Sequence, residues 1–327
     1  MTMNRDKKQR IHKPVLVDEV ISSLKVKIAH LNNQAQKFID ATLGTGGHTI
    51  EMLKRGSNVL GIDSDPMMLK VAEERLKKVL LRSTKKSFGG SLTYPSPDQD
   101  LVWGQVKLIL GNFKDIYDIA EKEGFLQVDG ILFDLGVSNL HFTNPNRGFS
   151  FNYPKAPLDM RLNPALQAVT AADLLNNLRY DQLIELFSEV LDKFESKKLA
   201  EAVDMKRKKM RFETVEDFLS VVRQIRKKPK LHLSTLPLLA LRIAVNSELD
   251  NLKESLPFSI KLLKKGGRLV IISFHSAEDR IVKRFFRKME SEGVAEVITK
   301  KPIVAQPKEI LLNPKARSAK LRILKKI

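Results

Sequence analysis

The run Phe38-Ile39-Asp40-Ala41-Thr42-Leu43-Gly44-Thr45-Gly46-Gly47-His48 constrains this chain most. An apolar stretch ends in an acid, a glycine-rich turn follows, and helical spacing starts at Gly47. Glycines in such a turn let backbone approach a ligand closely, and the helix start offers unpaired N–H groups. The same alternation then repeats. Residues 37–41, 58–63, 106–110 and 129–134 read as strands, and 47–55, 66–81 and 113–123 as the helices between them. That order predicts βαβ units and a parallel, doubly wound α/β sheet. Residues 82–104, with Gly89, Gly90, Pro95 and Pro97, interrupt it as a surface loop.

The pattern changes at His141. Residues 170–178, 181–194, 197–208 and 215–227 all carry helical spacing, and no strand run stands among them. Residues 236–263 read as a long helix broken at Pro257 and stopped at Gly266-Gly267. A strand at 268–274, a helix at 277–290 and strands at 295–300 and 319–324 complete the chain. The expected organisation is a discontinuous α/β domain, 1–140 and 235–327, interrupted by a helical domain at 141–234.

Composition narrows the function. There are 57 Lys+Arg against 38 Asp+Glu, a net charge of +19. Residues 193–230 hold 13 basic and 6 acidic side chains, and residues 313–327 hold six basic and none acidic. Such clusters suit a polyanion, nucleic acid first; solvated helix faces are the plainer alternative. Cysteine is absent, which excludes disulfides, thiolate metal sites and a cysteine nucleophile; no metal site is expected. The first 13 residues are polar and basic without an apolar signal core. Residues 233–245 are too short for a membrane span and contain Arg242. A soluble, cytoplasmic protein with no membrane partner is expected.

Asp63 ends the second strand, nineteen residues after Gly44, where an acid can accept both hydroxyls of a ribose. Asp65 precedes Pro66 and reads as a helix N-cap, which leaves Asp63 for the ligand. The dinucleotide fingerprint wants glycine where Thr49 stands, which disfavours a nicotinamide oxidoreductase, and no Gly-Lys-Ser/Thr of a P-loop follows. An Asp-x-x-x-Gly-x-Gly turn with a distal acid suits S-adenosylmethionine.

Several segments together resemble one family: residues 12–16, 40–48, 129–138, 147–151, 157–161, 240–249, 266–269, 271–283 and 313–322. In order, and across almost the whole chain, they are similar to the MraW family of bacterial 16S rRNA (cytosine-N4)-methyltransferases. The resemblance implies a class I S-adenosylmethionine-dependent methyltransferase fold with an inserted helical domain. It implies methyl transfer to the exocyclic N4 of a decoding-centre cytidine, with 16S rRNA in the small ribosomal subunit as partner. Carried over, the cofactor contacts fall on Gly46, Gly47, His48, Asp63, Phe113 and Asp134. His141 stands where the family has glutamine. The family's Met-Arg-Met-Asp is here Met160-Arg161-Leu162-Asn163, and an arginine and a glutamine of the family are here Leu236 and Leu239.

Chemistry agrees with an amine target. Methylation at cytosine C5 needs covalent attack, normally by cysteine, and there is none. An exocyclic amine needs positioning and an acceptor instead. Asp134, at the C-terminal end of the fourth strand, is the expected acceptor. His275, just past the 268–274 strand, is the second catalytic candidate; it either orients the base or fixes the following loop. Arg161, Arg242, Asn246 and Arg280 are candidate substrate contacts, with ion pairs or helix packing as the alternative for each. Two other functions stay open at this point: an amine methyltransferase on another nucleic acid, and a nonenzymatic RNA-binding ribosome assembly factor. The sequence leaves monomer and homodimer open.

Overall fold

The computed structural model describes residues 14–28, 35–83, 104–225 and 232–327. Seven strands form one sheet: β1 (Lys37–Asp40), β2 (Asn58–Asp63), β3 (Val106–Leu110), β4 (Val128–Asp134), β5 (Leu263–Ser273), β6 (Ala295–Val297) and β7 (Lys320–Lys326). Their order is β3-β2-β1-β4-β5-β7-β6. The first five are parallel, and β7 runs antiparallel to both neighbours. This is a doubly wound α/β sheet with an antiparallel pair, β7 and β6, at one end.

The strands are apolar on both faces because helices cover both. Ile39, Leu60, Ile131, Phe133 and Ile271 pack toward α4 (Ile116–Glu123), α11 (Glu248–Leu262) and α12 (Ser276–Ser291). Their chain neighbours Phe38, Val59, Leu132, Val270 and Ile272 pack toward α1 (Val17–Leu24) and α2 (Gly47–Leu53) on the other side. Leu76 of α3 (Pro66–Ser83) joins that second layer.

Between β4 and β5 stand α5 (Asn139–Thr143), α6 (Ala171–Asn177), α7 (Tyr180–Ser188), α8 (Lys193–Arg207), α9 (Val215–Ile225) and α10 (Thr235–Asn246). They have a core of their own around Phe187, Phe212 and Phe218. That core takes in Leu238, Ala240 and Leu241 of α10, so the helical packing runs past residue 234. A short helix α13 (Pro307–Leu312) precedes β7.

Two expectations are corrected, and a third falls mostly outside the described residues. Pro257 does not break the long helix; it lies inside α11, where Leu252, Leu256 and Ile260 pack on the sheet and outweigh the lost hydrogen bond. The break is at Ser247, left-handed at φ 48°, and the Asn251 amide donates to the freed Asn246 carbonyl at 2.9 Å. Gly266-Gly267 does not end a helix but lies within β5. Its pairing with β4 jumps there from Val128↔Leu263 to Gly130↔Arg268, and Gly266 at φ 80° supplies the bulge. Of the loop expected at 82–104, residues 84–103 lie outside the described residues; α3 runs on to Ser83.

Candidate active site

A cavity of about 300 Å³ opens over the C-terminal ends of β1, β2, β4 and β5, where doubly wound sheets place ligands. The glycine turn forms one wall. Gly44 at φ 53° and Gly46 at φ 73° take the left-handed conformation, and a side chain on Gly47 would collide with Pro14, at 2.8 Å. Arg75 of α3 clamps the turn by donating to the Thr45 carbonyl at 2.6 Å. Gly46 itself faces Ala72 of α3 and does not line the cavity.

Asp63 is not left free, as the sequence suggested. One carboxylate oxygen accepts from Gly44 N at 2.7 Å and the other from Asp65 N at 2.8 Å. It therefore shapes the glycine turn and still has an acceptor lone pair on each oxygen. Burial pushes its pKa up to about 7, against the pull of those two N–H groups. Asp65 caps α3 through Met67 N at 2.7 Å, as expected, and does more. Its other oxygen meets His141 Nε2 at 2.7 Å and Arg147 at 3.1 Å. Arg147 in turn donates to the carbonyls of Arg161 and Leu162, tying the start of α3 to the helical block.

The two cavity histidines are held in defined tautomers. His48 Nε2 donates to the Val15 carbonyl at 2.9 Å. Burial lowers its pKa, so the ring is neutral and Nδ1 is an acceptor, 3.7 Å from Asp134. His141 is likewise lowered by burial. Its Nε2–H goes to Asp65; the residue lines the cavity, and its buried Nδ1 has no partner among the described residues.

Asp134 ends β4. Its backbone N–H donates to Thr42 Oγ1 at 2.6 Å, fixing the strand end beside the glycine turn. Its Oδ1 is buried without a hydrogen-bond partner among the described residues, an expensive state for an acceptor. Burial pushes the carboxyl up to about 7, while Lys315 draws it down and Glu278 up. Phe113 lines the cavity and packs edge-on against Phe133, ring centres 5.5 Å apart.

The remaining candidates divide. Arg242 lines the cavity, but its guanidinium is bound to Glu248 at 2.8 and 2.9 Å. His275 does not reach the cavity; it is the N-cap of α12, locked in a reciprocal box with Glu278. Arg161 is spent on Asp159 and the Gln167 carbonyl. Asn246 is buried, bonded to Met160 O, Arg242 O and Leu162 N. Both therefore brace the loop after α5 instead of facing a substrate. Arg280 is exposed on α12, away from the cavity lining.

The basic clusters are also sorted by their partners. In the C-terminal one, Lys320 and Arg322 pair with Asp279, and Lys325 with Glu296. In the other, Lys206 binds Ser220, and Arg207 and Lys208 share Asp204; residues 226–230 lie outside the described residues. By contrast Arg280, Lys283, Arg284 and Arg287 form an exposed stripe on α12 with no ion pair among the described residues. Their i, i+3, i+4, i+7 spacing was visible in the sequence, hidden by the greater density of charge elsewhere. Lys315, which also lines the cavity, carried no signal beyond its place in the last motif.

A family model described as the MraW methylase family matches residues 9–327. A ribosomal RNA small subunit methyltransferase H from Methylacidiphilum infernorum is 39% identical over 97% of this chain and 94% of its own. Its namesakes from Dictyoglomus thermophilum and Persephonella marina are 38% and 37% identical, over 96% and 97% of this chain and 96% and 99% of theirs.

Proposed function

The chain belongs to the MraW methylase family, and we propose that it methylates the exocyclic N4 of a cytidine in small-subunit rRNA, with S-adenosylmethionine as methyl donor. The observation that carries this reading is Asp134: a carboxylate with an unpartnered buried oxygen, at a strand end, in the same cavity as a glycine turn and a ribose-type acid.

The residues present fit that cofactor. Gly44 and Gly47 bring bare backbone to the cavity wall, and Gly47 packs against Pro14 with no room for a side chain. Asp63 keeps two acceptor lone pairs for ribose hydroxyls, Phe113 offers a ring face for the adenine, and His141 Nδ1 offers an unspent acceptor. His48 supports the site from behind, by pinning the segment that starts at Pro14. When bound, the cofactor supplies an electrophilic methyl group on a sulfonium.

The chain supplies the rest. A cytosine amine is a poor nucleophile because its lone pair is delocalised into the ring. Asp134 accepts an N4–H hydrogen bond, which holds the amine in place and steadies the positive charge that grows on nitrogen. With a pKa near 7 it also takes the proton once the new bond has formed. Thr42 keeps that carboxylate in register with the glycine turn. Single-turnover methylation of small ribosomal subunits at saturating cofactor tests this. Asp134→Asn should slow the chemical step by about 10²–10³. A near-normal rate with a raised cofactor KM would make Asp134 a binding residue only.

A further inference from the structure

Along the sheet edge, Asp63 and Phe113 stand at β2 and β3, Asp134 at β4, Phe274 at β5, and Lys315 just before β7. A cofactor gripped by Asp63 lies on one side of Asp134; Lys315 lies on the other. Its ammonium donates to the Val137 carbonyl at 3.2 Å and rests 5.1 Å from the centre of the Phe142 ring. One of its three N–H donors is thus used. It makes no ion pair among the described residues, whereas Arg242, the other cavity cation of fixed charge, is bound to Glu248. Burial lowers Lys315 to about 8. The carboxylate whose charge it feels is Asp134, which lines the same cavity, and a partly buried cation with unspent donors beside an acceptor is placed to share a ligand with it.

Cytosine presents a donor, N4–H₂, beside an acceptor, N3. Uracil presents the opposite pair at the same places, O4 and N3–H. We infer that Lys315 is a substrate-reading residue: its ammonium donates to N3 of the target base while Asp134 accepts from N4, so that together they admit cytosine and reject uracil. With uracil the carboxylate would face an acceptor and the ammonium a donor, an arrangement excluded by repulsion as well as by lost bonds. Val137 and Phe142, from the segment following β4, hold the ammonium in position. The inference rests on the function proposed above and adds the residue that chooses the base.

The test compares wild type, Lys315→Met and Lys315→Arg on small-subunit particles reconstituted with cytidine or 3-deazacytidine at the target, the latter having C–H in place of N3. Lys315→Met should lower kcat/KM for the particle by roughly 10–100-fold and leave the cofactor Kd within about twofold. Lys315→Arg should recover most of the loss. The deaza base should cost wild type a similar factor and cost Lys315→Met almost nothing, since the partner of N3 is already gone. Equal deaza penalties in both proteins, or full activity of wild type on the deaza base, would overturn the inference. So would a parallel fall in cofactor affinity, which would move Lys315 to the cofactor. If Lys315→Met fails to fold, the wild-type deaza penalty and Lys315→Arg decide. If wild type transfers no methyl to the cytidine particle while still binding cofactor, the proposed function fails and the inference falls with it.

Discussion

Replacing Asp134 by Asn should make the ligand-free protein more stable at alkaline pH while disabling it. The folded carboxyl keeps its proton up to about 7, against 3.8 in the free side chain, chiefly because it is buried. The unfolded chain releases that proton near 4. Stability contributed by the neutral form is therefore fully present below pH 4 and lost as pH rises through 7. The raised pKa costs the wild type on the order of 4 kcal/mol at pH 8, where the buried group is charged, and about 1.5 kcal/mol at pH 5, where folding must take up a proton. The side chain is 19% exposed, and solvent in the cavity reduces both figures. Asn does not titrate, and any fixed difference in its packing cancels between the two pH values. The stabilisation of Asp134→Asn over wild type should thus grow by ~2–3 kcal/mol from pH 5 to pH 8. Urea denaturation of both proteins without cofactor, at the two pH values and one ionic strength, measures it. A difference that does not change with pH would show the carboxyl ionised throughout and refute the reasoning. A site that stores such a cost in the empty protein trades stability for function.

Three further outcomes follow from the geometry. Asp63→Ala should weaken S-adenosylmethionine binding by at least about 1.5–3 kcal/mol by calorimetry, since the ribose acceptor and the support of Gly44 N go together; wild-type affinity should itself fall as pH drops below 7, where Asp63 takes up a proton. Arg242→Ala leaves Glu248, 14% exposed, without its partner, and should cost about 3–5 kcal/mol in denaturant unfolding; a loss within error would mark the pair as dispensable. Arg280, Lys283, Arg284 and Arg287 changed together to Gln should weaken binding to small-subunit rRNA and lower the slope of log affinity against log salt by up to ~3–4; an unchanged slope would make the α12 stripe a solvated face.

The parallel half of the fold was legible because each strand is a short apolar run closed by a turn residue, and β2 and β3 match their expected bounds. Elements whose reason lies elsewhere in the fold were not. Pro257 and Gly266-Gly267 look like breaks locally, yet packing on the sheet carries a helix through one and a strand through the other. The short helices α1, α5 and α13 have too few turns for a periodic signal. In the site, Asp63, Asp134 and the glycine turn could be read because each sits at a strand end. The roles of Arg161, Asn246 and His275 were masked because a polar residue looks the same in sequence whether it faces a ligand or ties two loops together. Lys315 is distinguished by unspent donors on a partly buried ammonium in the same cavity as Asp134, and that is a property of the folded chain alone.

The most direct test supplies purified protein, small ribosomal subunits and S-adenosylmethionine with an isotope-labelled methyl group, then digests the rRNA to nucleosides for mass and retention analysis. The expected result is label in N4-methylcytidine from a single position of small-subunit rRNA, and none with Asp134→Asn on the same timescale. Label in C5-methylcytidine or another nucleoside, or no transfer by a protein that binds the cofactor, would contradict the proposed reaction.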